Sequence, residues 1–273
     1  MALPVAVQVY SVRDDAKADL RGTLQKIKDM GYDGVELAGT YGLSAAEIKK
    51  VLTDVGLEVI SAHIPLDDME KDPDGIFAFY EEIGCRYAAV PWLAAERRPG
   101  TDRFEETVAS IRMIGAKAKE YGIQLLYHNH DFEFAKVDGE YALDMLYRVV
   151  EPEYLATEID TCWVNVAGEN PAAYVRKYKG RAPIIHLKDF YMESDADKDG
   201  MYELIGVDKK ANNHSTFELR CVGHGKQFFP GIIEAAEEAG ATWLIVEQDR
   251  PSQGLTPMEC ADISRKYLKS IGY

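Results

Sequence analysis

The sequence is poor in basic side chains. Its 31 Lys and Arg residues stand against 46 Asp and Glu residues, which gives the 273-residue chain a formal net charge of −15. A nucleic-acid partner needs a basic face along its phosphate backbone, and an anionic membrane surface attracts basic segments. We therefore expect neither a nucleic acid nor a membrane as a partner, although a local site can oppose the overall sign.

The sequence also lacks long apolar runs and clustered cysteines. No segment reaches the roughly 20 apolar residues that span a bilayer. Residues 1–10 have no basic region ahead of a short apolar run, so we expect no signal peptide. The four cysteines lie far apart and form no C-x-x-C pair. We therefore expect reduced thiols and a cytoplasmic location.

The chain repeats one pattern, in which a short apolar strand is followed by a helix and by a glycine that ends the helix. Eight such units predict a (β/α)8 TIM barrel, with residues 1–273 as a single domain. A doubly wound open sheet is the alternative, but the glycine-rich phosphate-binding fingerprint that it needs after the first strand is missing. Residues at about 190–221 are polar and irregular, which predicts a long loop insertion over the site or an interaction surface.

Two helix starts are predicted from capping residues. Ser44 is followed three residues later by Glu47, the spacing of a capping box, and Asp102 precedes the longest helical pattern.

Ionisable side chains gather where the predicted strands end, and chemistry in such barrels takes place at the carboxyl ends of the strands. The residues are His128, His130, Glu133, Asp160, His186, Lys188 and Glu247. Taken singly, most have a plainer explanation, such as a helix cap for Asp160 or a hydrogen-bonded core histidine for His186. Glu247 is harder to explain in this way, because a carboxylate after four apolar residues is costly to bury unless it is paired or coordinated.

A divalent metal site is the favoured hypothesis for these strand ends, with Glu133, Asp160, His186 and Glu247 as ligands. Three carboxylates and one imidazole, open to substrate and water, suit Mn²⁺ best, with Zn²⁺, Co²⁺ and Mg²⁺ as alternatives. Because the face that a residue occupies can be misassigned by one position, His128 or His130 could take the place of Glu133.

Six short motifs resemble those of the xylose-isomerase-like sugar isomerase/epimerase superfamily, in this order and along most of the chain. They are Gly-Val-Glu-Leu at 34–37, His-Asn-His-Asp-Phe-Glu-Phe at 128–134, Asp-Thr-Cys-Trp at 160–163, His-Leu-Lys-Asp at 186–189, Val-Gly-His-Gly at 222–225 and Val-Glu-Gln-Asp at 246–249. The resemblance implies a metal held by Glu, Asp, His and Glu. Many members carry Glu-x-His where this chain has His128-Asn-His130, so Glu133 is the preferred first ligand and His128 the alternative.

The resemblance implies a reaction that begins with removal of a proton next to a carbonyl. The main hypothesis is a metal-dependent isomerase or epimerase of a sugar or keto-sugar that passes through an enediolate. Glu133 and Glu247 would be the bases, and Lys188 or His130 would steady the oxyanion or move the proton. Residues expected to contact the small-molecule substrate are Gln8, Glu36, His63, His128, Trp163 and His224, with Tyr10 as a second stacking side chain.

The alternative is a dehydratase or lyase that acts on a keto-inositol or a 3-keto-glycoside with the same metal site. The His-Asn-His variant motivates it, since His130 could protonate the departing oxygen. A metal-dependent endonuclease shares the barrel, but it needs a basic groove that the net charge of −15 disfavours. A homo-oligomer stays open, because no interface can be read from the sequence.

Overall fold

The centre of the molecule is a closed barrel of eight parallel strands. The computed structural model describes residues 2–193 and 216–273. The barrel strands are β1 (Val5–Gln8), β2 (Gly34–Leu37), β3 (Glu58–His63), β4 (Tyr87–Val90), β5 (Gln124–His128), β8 (Ala156–Asp160), β9 (Ile184–Leu187) and β12 (Trp243–Val246). Each pairs with the next along the chain, and β12 closes the barrel against β1. The predicted TIM barrel is confirmed.

Helices cover the outside of the barrel and bury its outward-facing side chains. They are α1 (Arg13–Ala18), α2 (Leu20–Met30), α3 (Ala45–Val55), α4 (Leu66–Lys71), α5 (Pro73–Glu82), α6 (Phe104–Glu120), α7 (Ala142–Val149), α8 (Thr161–Val166), α9 (Pro171–Lys177), α10 (Phe229–Ala239) and α11 (Pro257–Ser270). The capping box of Ser44 and Glu47 at α3 is confirmed. The predicted cap at Asp102 is wrong, because Arg103 precedes α6 and makes no side-chain cap bond. No helix in the described ranges is long and apolar enough to cross a membrane.

Among the described residues, two antiparallel strand pairs lie outside the barrel. Strands β6 (Lys136–Val137) and β7 (Glu140–Tyr141) form one, and β10 (Asp189–Tyr191) and β11 (Glu218–Arg220) form the other. The second pair corrects the prediction of an irregular stretch at about 190–221, whose two ends are paired strands. Residues 194–215 of that stretch lie outside the described residues.

The barrel interior holds a cluster of buried apolar side chains, the apolar layer, supplied by every strand but β2. They are Ala6, Ile60, Ala89, Leu126, Ala156, Ile184, Trp243 and Ile245. Neighbours such as Leu125 and Tyr127 pack outward against the helices. Because strand side chains alternate with a period of two, residues two positions after this layer also face inward, nearer the carboxyl end.

Candidate active site

A buried polar layer lies directly beyond the apolar layer. Five strands supply its members by the same step of two residues: Gln8, His128, Glu158, His186 and Glu247. Glu36 joins them from β2, where it is paired with Gln8 in register and accepts a hydrogen bond of 2.7 Å from the amide of that residue. So many ionisable groups at no more than 5% side-chain exposure are costly to bury unless each is paired or coordinated.

Two carboxylates of this layer hold three imidazoles. Glu158 Oε1 lies 2.7 Å from His63 Nε2, 3.1 Å from His128 Nδ1 and 3.2 Å from His186 Nε2. Glu36 Oε2 lies 2.9 Å from His186 Nε2 and 3.3 Å from His63 Nε2. Burial alone lowers the pKa of His63, but the charges of Glu36 and Glu158 outweigh it and raise that pKa to about 9.

His128 and His186 each have a second ring nitrogen, and these two nitrogens belong to a group of side chains that can hold a metal. His128, Asp160, His186 and Glu247 each place one ligand atom within 4.8 Å of the others. His186 Nδ1 is 3.0 Å from Glu247 Oε2, and His128 Nε2 is 3.8 Å from the same oxygen and 3.7 Å from Asp160 Oδ2. Metal-binding histidines usually have their second nitrogen bonded to a carboxylate, which fixes the ring, and Glu36 and Glu158 take that place here.

A second possible group shares two of these imidazoles and contains His63, His128, Glu158 and His186. Its only carboxylate, Glu158, already forms hydrogen bonds with His63 and His128 and lies 3.2 Å from His186 Nε2. The group with Asp160 and Glu247 offers two carboxylates, and His128 and Glu247 line the cavity described below. It is the better candidate.

Lys188 balances part of the negative charge beside this group. Its ammonium lies 3.2 Å from Asp160, 3.1 Å from Glu247 and 3.0 Å from Asp249, and the residue is almost wholly buried. Burial lowers the pKa of Lys188, but the three carboxylates outweigh it and raise the pKa well above its ordinary value. Three carboxylates and one ammonium leave two negative charges, which a divalent cation would neutralise.

Glu133, the preferred first ligand in the sequence hypothesis, is not brought into this group. After β5 the chain turns into a short 3₁₀ helix, Phe132–Phe134. This turn directs the Glu133 carboxylate to the Tyr127 hydroxyl at 2.6 Å and to the His130 backbone N–H at 2.8 Å. Burial raises the pKa of Glu133 to about 7, although both hydrogen bonds work against it. His128, the stated alternative, is the fourth member of the metal group instead of Glu133. This corrects the expectation that Glu133 is the first ligand.

The buried Asp160 carboxylate is both a helix cap and a member of the metal group. One oxygen, Oδ1, accepts from the Cys162 N–H at 2.8 Å and caps α8. The other, Oδ2, faces the Lys188 ammonium and the His128 ring. The cap therefore fixes the carboxylate that the metal group uses.

A cavity of about 320 Å³ opens beside the polar layer. Its ionisable lining residues are His63, His128, His130, Glu247 and Asp249. The His130 ring stacks on Phe132 with centroids 5.1 Å apart and lies 5.7 Å from Trp163. Its Nδ1 atom is buried and makes no hydrogen bond within the described part of the chain. Burial, reinforced by neighbouring cations, lowers the pKa of His130 well below its ordinary value.

Some of the remaining residues that were expected to contact the substrate line the cavity, and others lie away from it. Tyr10 lines the cavity, whereas Gln8 and Glu36 lie buried behind it and act through the polar layer. Trp163 is buried against His130 and lies 5.1 Å from the Lys188 ammonium. His224 is exposed and is not one of the cavity-lining residues.

Sequence reasoning missed Glu158 and Asp249. Glu158 lies two residues before Asp160 in β8 and therefore on the same face. Asp249 lies two residues after Glu247, where the strand has already ended at Val246. The strand period of two was the available signal for Glu158.

The comparisons with known proteins agree with this architecture. Residues 24–271 match the family model described as xylose isomerase-like TIM barrel. The chain belongs to this family. An inosose dehydratase of Lacticaseibacillus casei is 29% identical over 170 residues, which cover 61% of this chain and 54% of that protein. The match thus spans about half the length of that relative. The inosose dehydratase of Clostridium beijerinckii is 24% identical over 262 residues, or 88% of this chain and 85% of that protein.

Solved structures support the fold. A sugar phosphate isomerase/epimerase from Parabacteroides distasonis superposes with a TM-score of 0.80 at 20% identity and covers 100% of this chain and 95% of its own. The IOLI protein, whose crystal structure has a bound zinc atom, superposes with a TM-score of 0.73 at 14% identity and covers 98% of both chains. At these identities the likeness concerns the barrel alone.

Proposed function

We propose that the chain is a divalent-metal-dependent lyase that acts on a cyclic polyol carrying a carbonyl, such as a keto-inositol or a 3-keto-glycoside. The observation that carries the proposal is the placement of two further histidines, His63 and His130, in one cavity with the metal-type group. Two of the relatives, named inosose dehydratases, support elimination over the isomerisation that was the main sequence hypothesis.

His128, Asp160, His186 and Glu247 would hold the metal. Two imidazoles and two carboxylates are a more nitrogen-rich set than the sequence suggested, which favours Zn²⁺, Co²⁺ or Mn²⁺ over Mg²⁺. When bound there, a divalent ion polarises a carbonyl oxygen and acidifies the neighbouring C–H.

The chain itself would supply the proton transfers. We assign proton removal to His130 Nδ1, because it is buried beside the cavity without a hydrogen bond from the described residues. We assign proton delivery to His63, whose Nε2 is anchored by Glu158 at 2.7 Å while the ring lines the cavity. Lys188 would hold Asp160 and Glu247 in place through its ion pairs.

The elimination balances without a redox partner. The C–H bond next to the carbonyl breaks and its electron pair forms a C=C bond. The C–O bond at the β carbon then breaks, and the departing oxygen takes a proton from the chain. Loss of water converts a keto-inositol into an unsaturated ketone, and loss of an alcohol does the same for a 3-keto-glycoside.

Product mass and solvent exchange test this function. Zn²⁺-, Co²⁺- and Mn²⁺-loaded protein is incubated in deuterated water with an inosose and with a methyl 3-keto-glucoside. We expect a product lighter by water or methanol, and loss of this product in His130→Ala but not in the matched exposed-histidine control His224→Ala. A product of unchanged heavy-atom composition that carries solvent deuterium would indicate an isomerase or epimerase instead.

A further inference from the structure

The cavity has two chemically different sides. The residues that follow β5 and β12 supply its ionisable side, which includes His130, Glu247 and Asp249. The segments that follow β1 to β4 supply the opposite side, where the only ionisable group besides the Tyr10 phenol is His63 at the end of β3. The other residues of that side are Tyr10, Ala38, Gly39, Pro65, Pro91 and Trp92.

No lysine or arginine lines the cavity among residues 2–193 and 216–273. The two basic side chains beside the cavity, Lys188 and Arg13, are both engaged. Lys188 is buried among Asp160, Glu247 and Asp249, and Arg13 donates to the backbone oxygens of Tyr10 and Asp249 while it stacks on the Tyr10 ring. A phosphate group would therefore find no free lysine or arginine among the described lining residues, and it would meet the carboxylates of Glu247 and Asp249.

Trp92 is the largest apolar side chain on the side of the cavity that follows β1 to β4, which we call the apolar side. It is 45% exposed, and it is one of four large hydrophobic residues exposed in the described ranges. An indole face that is open to a cavity can bind an aromatic ring well. Pro65 and Pro91 add flat apolar surface to the same side and contribute no backbone donor.

We infer that the apolar side is a subsite for an uncharged aryl or alkyl substituent, which makes an unphosphorylated 3-keto-glycoside the substrate class. This rests on the proposed lyase function and deepens it. The sugar ring with its carbonyl lies against the ionisable side, and the aglycone lies on Trp92. The C2–H bond breaks as its proton passes to His130, and its electron pair forms the C1=C2 double bond. The glycosidic C1–O bond breaks, and the aglycone leaves as an alcohol or a phenol after it takes a proton from His63.

Turnover of three matched substrates tests the subsite. They are phenyl 3-keto-β-glucoside, methyl 3-keto-β-glucoside and the 6-phosphate of the methyl compound. We expect kcat/KM for the phenyl substrate to exceed that for the methyl substrate by about tenfold from the aromatic contact and apolar burial. Phenol is also the better leaving group, and that part of the preference should remain in Trp92→Ala. The phosphorylated substrate should be the poorest of the three.

Two variants separate the subsite from a general loss of activity. Trp92→Ala should reduce the phenyl-to-methyl ratio of kcat/KM by about fivefold, the effect of one aromatic contact. Met113→Ala removes another exposed apolar side chain, 55% exposed on α6 and outside the cavity lining, and should leave the ratio unchanged. Equal kcat/KM for all three substrates, or an unchanged ratio in Trp92→Ala, would overturn the subsite.

Calorimetric binding of phenyl β-glucoside distinguishes the two proposals, because this compound has no carbonyl and cannot be eliminated. Binding that Trp92→Ala weakens, without turnover of any keto-glycoside or inosose, would leave the subsite standing and refute the lyase. Turnover with no preference for the phenyl group would support the lyase and refute the subsite. Neither binding nor turnover would refute both.

Discussion

Glu133 offers a prediction that separates a buried carboxylate from a metal ligand. Replacing it by glutamine keeps the shape of the side chain and removes its charge. In the folded chain, burial raises the pKa of Glu133 from 4.5 to about 7, against the hydrogen bonds from Tyr127 and His130. A carboxyl with a raised pKa binds its proton more tightly when folded than when unfolded, so the free energy of unfolding falls as the pH rises.

The magnitude follows from the two pKa values. The unfolded chain releases this proton near pH 4.5 and the folded chain near pH 7. This difference in pKa corresponds to about 3 kcal/mol of unfolding free energy. The protonated carboxyl contributes this stability in full below about pH 4.5, and the contribution is lost as the pH rises to about 7. Glutamine has no such term. Glu133→Gln should therefore gain about 3 kcal/mol relative to wild type between about pH 4.5 and about pH 8.

Urea unfolding of chelator-treated protein across this pH range measures the difference. Glu81→Gln, which removes an exposed carboxylate from α5, is the control and should follow wild type. A constant offset between Glu133→Gln and wild type is compatible with the changed hydrogen bonds, because only the slope with pH reports the titration. Parallel curves for the two proteins would refute a raised pKa at Glu133.

Two further substitutions test the site and its support. Glu247→Gln should lower bound metal and abolish turnover, because the amide keeps the packing and loses the charge that the metal needs. Circular dichroism and the urea midpoint should show an intact fold. Full activity would remove Glu247 from the site. Gly225→Ala should lower stability by about 1–3 kcal/mol, because its Cβ would lie 2.3 Å from Asp189 Oδ1 and the Phe190 backbone oxygen; an unchanged melting temperature would show that this segment is looser than described.

The barrel could be predicted because its signals are local. Apolar strands of four to six residues and glycines such as Gly31, Gly56 and Gly240, which end helices in the left-handed conformation, recur along the chain. Helices α1, α4 and α8 were missed because six residues are too few to show a helical period.

The site was predicted less completely than the fold. Asp160, His186 and Glu247 could be grouped because they lie at or just beyond the carboxyl ends of apolar strands of a closed barrel. The position of Glu133 depends on a 3₁₀ turn after β5, and no local pattern announces that turn. Glu158 shows the same limit, since its three imidazole partners come from β3, β5 and β9, which are distant in sequence.

Metal titration of chelator-stripped protein tests the central claim most directly. Zn²⁺ and Mn²⁺ are titrated into wild type, His128→Ala, Glu133→Gln and the exposed-histidine control His224→Ala, with bound metal and melting temperature as readouts. We predict one ion per chain and a raised melting temperature in wild type, Glu133→Gln and His224→Ala, because an ion that binds only the folded state stabilises it. His128→Ala should lose both effects. Full metal binding by His128→Ala, together with its loss in Glu133→Gln, would contradict the assignment of His128, Asp160, His186 and Glu247 as the metal group.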